Sequence, residues 1–206
     1  VSHQAGISKY SDKMPTAGEQ VWDDVDGTDE GVTDLGSDNT LGYEITMSGI
    51  TASASYARTG VGTDNSIVLI ANDLVDGASF GVGTGTNTAS NTTEDDMTTI
   101  WATYTTGPVT MGVQLSEIDK TAANSDVDRE HVAISFAVNE NLSISYGISN
   151  VGYESATKSD EESSGFSASY TMGGMTLGAV ANKSDSLKGT AGTDRSFTEV
   201  SLAFAF

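Results

Sequence analysis

From position 41 onward the chain alternates. Leu41, Tyr43, Ile45 and Met47 interleave with Gly42, Glu44 and Thr46, and Ser48-Gly49 follows at once. Ile50, Ala52, Ala54 and Tyr56 then interleave with Thr51, Ser53 and Ser55. A strand has a side-chain period of two, so each segment has one oily face and one small or polar face. The pattern predicts a hairpin of two strands of about ten residues each.

The unit recurs to the end of the chain. Segments 67–71 and 78–84 flank the connection 72–77. Ile100, Ala102 and Tyr104 lead through Thr106-Gly107-Pro108 to Val109, Met111, Val113 and Leu115. Val132, Ile134, Phe136 and Val138 precede Asn139-Glu140-Asn141, and Leu142, Ile144, Tyr146 and Ile148 follow it. Phe166, Ala168, Tyr170 and Met172 reach Gly173-Gly174, and Met175, Leu177, Ala179 and Ala181 leave it. In the last stretch, 196–206, Val200, Leu202, Phe204 and Phe206 share one parity, with Glu199, Ser201, Ala203 and Ala205 on the other. About eleven strands are predicted, joined by connections that alternate short and long. The long ones are the polar runs 58–65, 86–96, 119–130, 152–164 and 185–195.

Such alternation suits a transmembrane barrel, with tight turns on one side of the membrane and long loops on the other. A Greek-key sandwich mixes its connection lengths, and a solenoid repeats one motif at one period. Tyr43, Tyr56, Tyr104, Tyr146 and Tyr170 recur near strand ends or one turn in, as an interfacial girdle would. The opposite parity is Ser, Thr, Gly and Ala, with Glu44, Gln114, His131, Asn182 and Glu199 among them. Small polar groups do not pack a dry core, so a wet interior is expected. Trp101 is the exception, since its parity turns it inward.

Composition sharpens this. Hydrophobic residues are 37% of 206, with 23 Gly and 2 Pro. That is thin for a soluble core and sufficient for a wall apolar on one face only. No run of eighteen apolar residues exists, so no membrane-spanning helix is predicted. The formal net charge is −20, from 29 acidic and 9 basic residues. Nucleic-acid binding needs clustered Lys and Arg, which this chain lacks, so no nucleic-acid partner is expected. Cysteine is absent, which removes disulfides and thiolate metal sites.

Residues 1–38 read differently. Residues 1–10 could hold a short strand, and 12–38 carry nine acids against Lys13 alone. The run from Trp22 to Gly31 has no helical or strand period. A loop of such length implies either a function or disorder.

The hairpins, the loop alternation and the terminal aromatic give the region 39–206 a resemblance to a Gram-negative outer-membrane general porin, alphaproteobacterial in type. Phe206, with Phe204 and Leu202 on its face, matches that family's C-terminal barrel-assembly signal. The resemblance implies a sixteen-stranded, trimeric, water-filled channel for ions and small polar solutes, embedded in outer-membrane lipid. It further implies that residues 1–38 form the constriction loop after a fifth strand, with five strands preceding Val1. The rival account makes residues 1–10 a first strand of a complete twelve-stranded barrel. On the porin account the constriction acids are Asp23, Asp24, Asp26, Asp29, Glu30 and Asp34, with Glu44 on the wall below, and cation selectivity follows. The family's opposing arginine ladder is thin here, with only Arg58, Arg129 and Arg195, each near a strand end. The bland alternative makes these acids a solvated outer loop.

Other classes are weaker. An outer-membrane barrel hydrolase would place His with Ser or Asp at the rim. His131 and Ser135 lie ~13 Å apart along one strand, too far for a proton relay, so His131 is expected to be a rim histidine in a polar loop. No enzyme activity and no cofactor are expected. Acidic loops such as Gly62-Thr63-Asp64 and Gly192-Thr193-Asp194 allow weak divalent-cation binding, but no EF-hand or calcium β-roll repeat is present. A secreted or surface β-sandwich, adhesin-like, is the remaining alternative, and detergent dependence separates the two.

Overall fold

A computed structural model describes residues 7, 14–22, 25, 40–58, 60, 62–90 and 93–205. Eleven antiparallel strands form one up-and-down sheet in sequence order. They are β1 Thr40–Met47, β2 Ile50–Arg58, β3 Thr63–Val75, β4 Ala78–Ser90, β5 Thr93–Thr106 and β6 Val109–Asp119, followed by β7 Val127–Ala137, β8 Leu142–Tyr153, β9 Glu161–Met172, β10 Met175–Asp185 and β11 Arg195–Phe204. No helix among the described residues is long and apolar enough to cross a membrane. Each strand pairs only with its neighbours in sequence, and the sheet is not closed among the described residues.

The register keeps one parity on each face from end to end. Gln114 sits opposite Trp101 on β5 and opposite His131 on β7, and His131 opposite Ser149 on β8. The face carrying the large apolar side chains is the exposed one. Leu69, Ile100, Val113 and Leu202 are 47%, 54%, 39% and 53% exposed, whereas Gln114, His131 and Ser149 on the other face are at most 1% exposed. A water-soluble sheet has the reverse arrangement. Three or four outward apolar residues per strand, ~6.7 Å apart, span roughly 13–20 Å along the strand, the scale of a barrel's lipid-facing belt.

The turns explain the register. Ser48 and Gly49 both have positive φ, 50° and 80°, the type I′ geometry that matches strand twist in a two-residue hairpin. The Asn72–Gly77 connection is tighter than its sequence suggests. β3 runs on to Val75 through a bulge after Asn72, with Asp73 at φ 54°, and only Asp76-Gly77 remain as turn.

On the opposite side the expected alternation is less strict. The polar run 86–96 is strand rather than loop: β4 and β5 extend to Ser90 and from Thr93, and only residues 91–92 connect them. Thr and Asn side chains carry that ladder beyond the apolar belt, so polarity marked the end of the lipid-facing band, not of the hairpin. Residues 120–126, 154–160 and 186–194 remain true loops. The aromatic girdle is clear on the tight-turn side only, where Tyr104, Phe136, Tyr170 and Phe204 each lie within two or three residues of a turn or the last strand's end. On the other side Tyr56 stands near the rim, while Tyr146 lies mid-strand.

If the exposed band faces acyl chains, Val113→Lys should destabilise the folded protein in bilayers by about 2–4 kcal/mol. The same change at inward, solvent-facing Ser201 should cost under about 1 kcal/mol. Urea unfolding in lipid vesicles reads both.

Candidate functional site

The hydroxyl-rich inner face is not empty. Residues 7, 14–22 and 25 lie across it, from β3 to β10. The wall receives this inner segment in two ways. First, hydroxyls take its backbone. The Ile7 N–H donates to Ser66 Oγ at 2.9 Å, Ala17 N–H to Ser145 Oγ at 2.9 Å and Gly18 N–H to Ser167 Oγ at 3.1 Å. Those serines are themselves paired across strands, Ser55 with Ser66 at 2.7 Å and Ser145 with Ser167 at 2.7 Å. A hydroxyl donates once and accepts twice, so one serine serves both a wall partner and a strap N–H. Asn182 on β10 adds an Nδ2–H bond to the Gln20 carbonyl at 3.0 Å.

Second, wall glycines make room. A Cβ on Gly112 would stand 2.5 Å from Pro15 Cδ, and one on Gly147 would stand 2.7 Å from Val21 Cγ1. A Cβ on Gly83 would press Ile7 Cγ1 at 3.3 Å. Only a bare Cα lets the segment approach this closely.

Apolar side chains of the segment then pack on inward apolar residues of the wall. Ile7, Met14, Val21 and Trp22 share a core with Val68, Ile70, Met97, Trp101, Ile118 and Ala133. The expectation of a wet interior is therefore corrected at this level, where the lumen holds a small dry core. Sequence reasoning missed it because Val68, Ile70, Met97 and Ile118 read as stray apolar residues on the polar parity. Trp101 is inward as expected, and its ring lies on Gly81, where no side chain could stand.

Four buried polar groups flank the core. His131 stacks on Trp22, ring centroids 4.4 Å apart at 40°. Gln114, fully buried, donates from Nε2 to Thr99 Oγ1 at 2.9 Å. Arg129 faces inward and is 4% exposed, so its place near a strand end did not put it on the rim. Glu161, 1% exposed, accepts the Lys188 N–H at 2.7 Å through Oε2, which ties the short 3-10 turn Leu187–Gly189 to the mouth of β9.

Of the sequence-derived site residues, Asp23, Asp24, Asp26, Asp29, Glu30 and Asp34 lie outside the described residues. So does Phe206, while Phe204 and Leu202 stand exposed on the outward face of β11. The short strand proposed within residues 1–10 also falls there, save for Ile7. Glu44 pairs with Ser53 on the inward parity of β1. It lines an inner cavity of about 330 Å³ with Thr51, Ile70, Asn72, Ser79, Trp101 and Thr103. Among the described inward positions, Glu44, Asp64, Asp95, Glu161 and Glu199 oppose Arg129 and Arg195, so the wall is acidic on balance. His131 is not at the rim in a polar loop: it is buried within β7 on the inner face, where Trp22 covers it, and Ser135 stays four residues away along the same strand. No trio of His, Asp and Glu among the described residues is placed to hold a metal ion.

An up-and-down antiparallel sheet with an apolar exterior, a hydroxyl-lined interior and a strap across that interior defines a fold class, that of porin-type transmembrane β-barrels. Solved structures agree on the fold. An anion-selective porin from Comamonas acidovorans superposes with a TM-score of 0.70 at 14% identity, over 82% of this chain and 59% of that one. OmpT, an outer membrane protein of Vibrio cholerae, gives 0.60 at 14%, over 81% and 64%. The NanC porin gives 0.53 at 13%, over 81% and 92%. The chain thus spans about three-fifths of the first two. No protein-family profile matches the sequence, and no curated protein does either.

The seat makes a direct prediction. Gly147→Val and Gly112→Val should each displace the segment while leaving the wall folded. Limited proteolysis within 14–22 should speed up and Trp22 emission should shift red, with heat-modifiable gel migration unchanged.

Proposed function

We propose that this protein forms a water-filled channel in the bacterial outer membrane through which ions and small polar solutes diffuse passively, without covalent chemistry. One observation carries the reading: the greasy side chains face out along all eleven strands while hydroxyls face in. A wall of that kind lowers the cost of moving a polar solute past hydrocarbon by supplying a wet path. The strap over β3–β10 narrows that path, in the role of a constriction loop. Asp23, Asp24, Asp26, Asp29, Glu30 and Asp34 on it, with Glu44 on the wall, then set the field at the narrow point.

Cation preference follows from charge. A formal net charge of −20 and an inward face richer in acids than in bases concentrate cations and repel anions, and low-dielectric walls focus the field. The neighbour from Comamonas is named for the opposite preference, and 14% identity carries no selectivity across.

We further propose an even-numbered barrel, sixteen strands in the porin manner, assembled as a homotrimer. Strand parity supports it. β1 and β11 run in the same direction, so they do not close on each other as an antiparallel pair, and bacterial barrels of this type have even strand numbers.

Planar-bilayer recording tests the selectivity. A salt gradient at neutral pH should give a reversal potential of cation-selective sign. Glu44→Gln combined with Asn at Asp23, Asp24 and Asp26 should move it toward zero with the channel still conducting. An anion-selective potential in the parent protein overturns the acidic constriction.

A further inference from the structure

We propose that His131 and Trp22 form an acid-released latch, which holds the inner segment on the wall at neutral pH and frees it when the imidazole gains a proton. The latch lies in the middle of the strap's path. Trp22 is 2% exposed and His131 1%, with ring centroids 4.4 Å apart. Trp22 is thus a main apolar contact of the segment, and its seat is a titratable ring.

The surroundings suit a neutral ring and not a charged one. A neutral imidazole needs one donor contact and one acceptor contact, whereas the cation needs two acceptors. His131 Nδ1 is buried with no hydrogen-bond partner among the described residues. The facing groups are neutral on both neighbouring strands: Gln114 on β6 and Ser149 on β8 sit directly opposite His131. One rung away along β7 is Arg129, nearly buried, whose positive charge opposes a second one beside it. Glu130, between Arg129 and His131 in β7, points to the outer face, and the inward acid in register with Arg129 is Glu161 on β9, across Val151, whose Oε2 is already engaged by the Lys188 N–H. From the segment the facing group is the Trp22 indole. Asp23 and Asp24 follow it in sequence and lie outside the described residues.

Gln114 Oε1, buried with no partner among the described residues, and the Ser149 hydroxyl opposite are the neutral acceptors at hand. Hydrogen bonds to neutral groups do not offset a cation buried next to a guanidinium. Water is the better partner for the protonated ring. Lifting Trp22 admits water, and with it the apolar contact that holds this part of the strap is lost. A free imidazole gains its proton from mildly acid pH downward, so the seated state loses stability progressively as the pH falls through and below that range, while tyrosines and lysines, already protonated at neutral pH, do not change.

Trp22 and Trp101 are the only tryptophans, so Trp101→Phe leaves Trp22 as sole reporter in the full chain. Folded in detergent and titrated from pH 7.5 to 4, this variant should show a red shift of Trp22 emission. Acrylamide quenching should rise several-fold in the same transition. Adding His131→Phe, which keeps a ring under the indole, should flatten both curves, as should His131→Gln. If Trp101→Phe does not fold, subtracting the Trp22→Phe signal from the parent's gives the same curve.

Two outcomes overturn the latch. In one, Trp22 stays shielded down to pH 4 while gel migration shows an intact barrel. In the other, the His131 variants titrate like the parent, which would assign the transition to carboxylates of the segment. That acid also raises conductance is a consequence resting on the channel reading. The fluorescence result stands without it, so a silent bilayer with a clean titration would sink the channel and spare the latch.

Discussion

The structure depends on one constraint: at the depth of the acyl chains nothing outside the protein accepts or donates a backbone hydrogen bond. Every N–H and C=O in the lipid-facing band must find its partner on a neighbouring strand. That demand is why the described wall is all hairpin, why each strand pairs with its sequence neighbours and why the register shifts, after Asn72 and between Thr88 and Ser90, lie at strand ends. Once the ladder is fixed, the period of two follows, and so does the division of residues between lipid and lumen. A one-residue slip of any strand would turn a row such as Val109, Met111, Val113 and Leu115 inward and present Gln114 and Ser116 to hydrocarbon. The lipid therefore enforces register as strictly as a packed core does in a soluble sheet.

This explains why the wall was largely legible in sequence. Parity alone identified the outward rows and placed Trp101 and His131 inward, because solvent and lipid sort side chains by polarity before any packing detail matters. Strand ends were less legible. At 84–98 the side chains turn polar where the belt ends, yet the backbone ladder continues into water, where Thr and Asn serve as well in a strand as in a loop. Arg129 shows the same limit. Its position near a strand end gave no sign that it is buried against the lumen contents.

The interior was less legible for a different reason. Ser and Gly on the inner parity read as vacancy, since small groups leave volume. Whether water or another part of the chain fills that volume is decided by contacts remote in sequence, such as Ile7 with Ser66 or Gly18 with Ser167. The available signal was subtle. Val68 and Ile70 on β3, Met97 on β5 and Ile118 on β6 break the polar parity within three successive inward rungs, and the segment 7–25 carries Ile7, Met14, Val21, Trp22 and Val25 amid acids. Two sparse apolar sets, one on the wall and one on the segment, are complementary surfaces, visible as such only once the topology brings them together.

The chemistry of the seat bears on how tightly the segment is held. Burial of Ile7, Met14, Val21, Trp22 and Val25 is opposed by the conformational entropy of ordering the segment, so individual terms of about 1 kcal/mol matter. Such terms are the bonds from backbone N–H groups to Ser66, Ser145 and Ser167 and the state of the ring beneath Trp22. A hydroxyl-and-glycine wall is suited to that regime. It grips the backbone of whatever lies on it without deep side-chain pockets, so the strap can be seated or unseated by a change at one rung while the ladder behind it, paired strand to strand, is untouched.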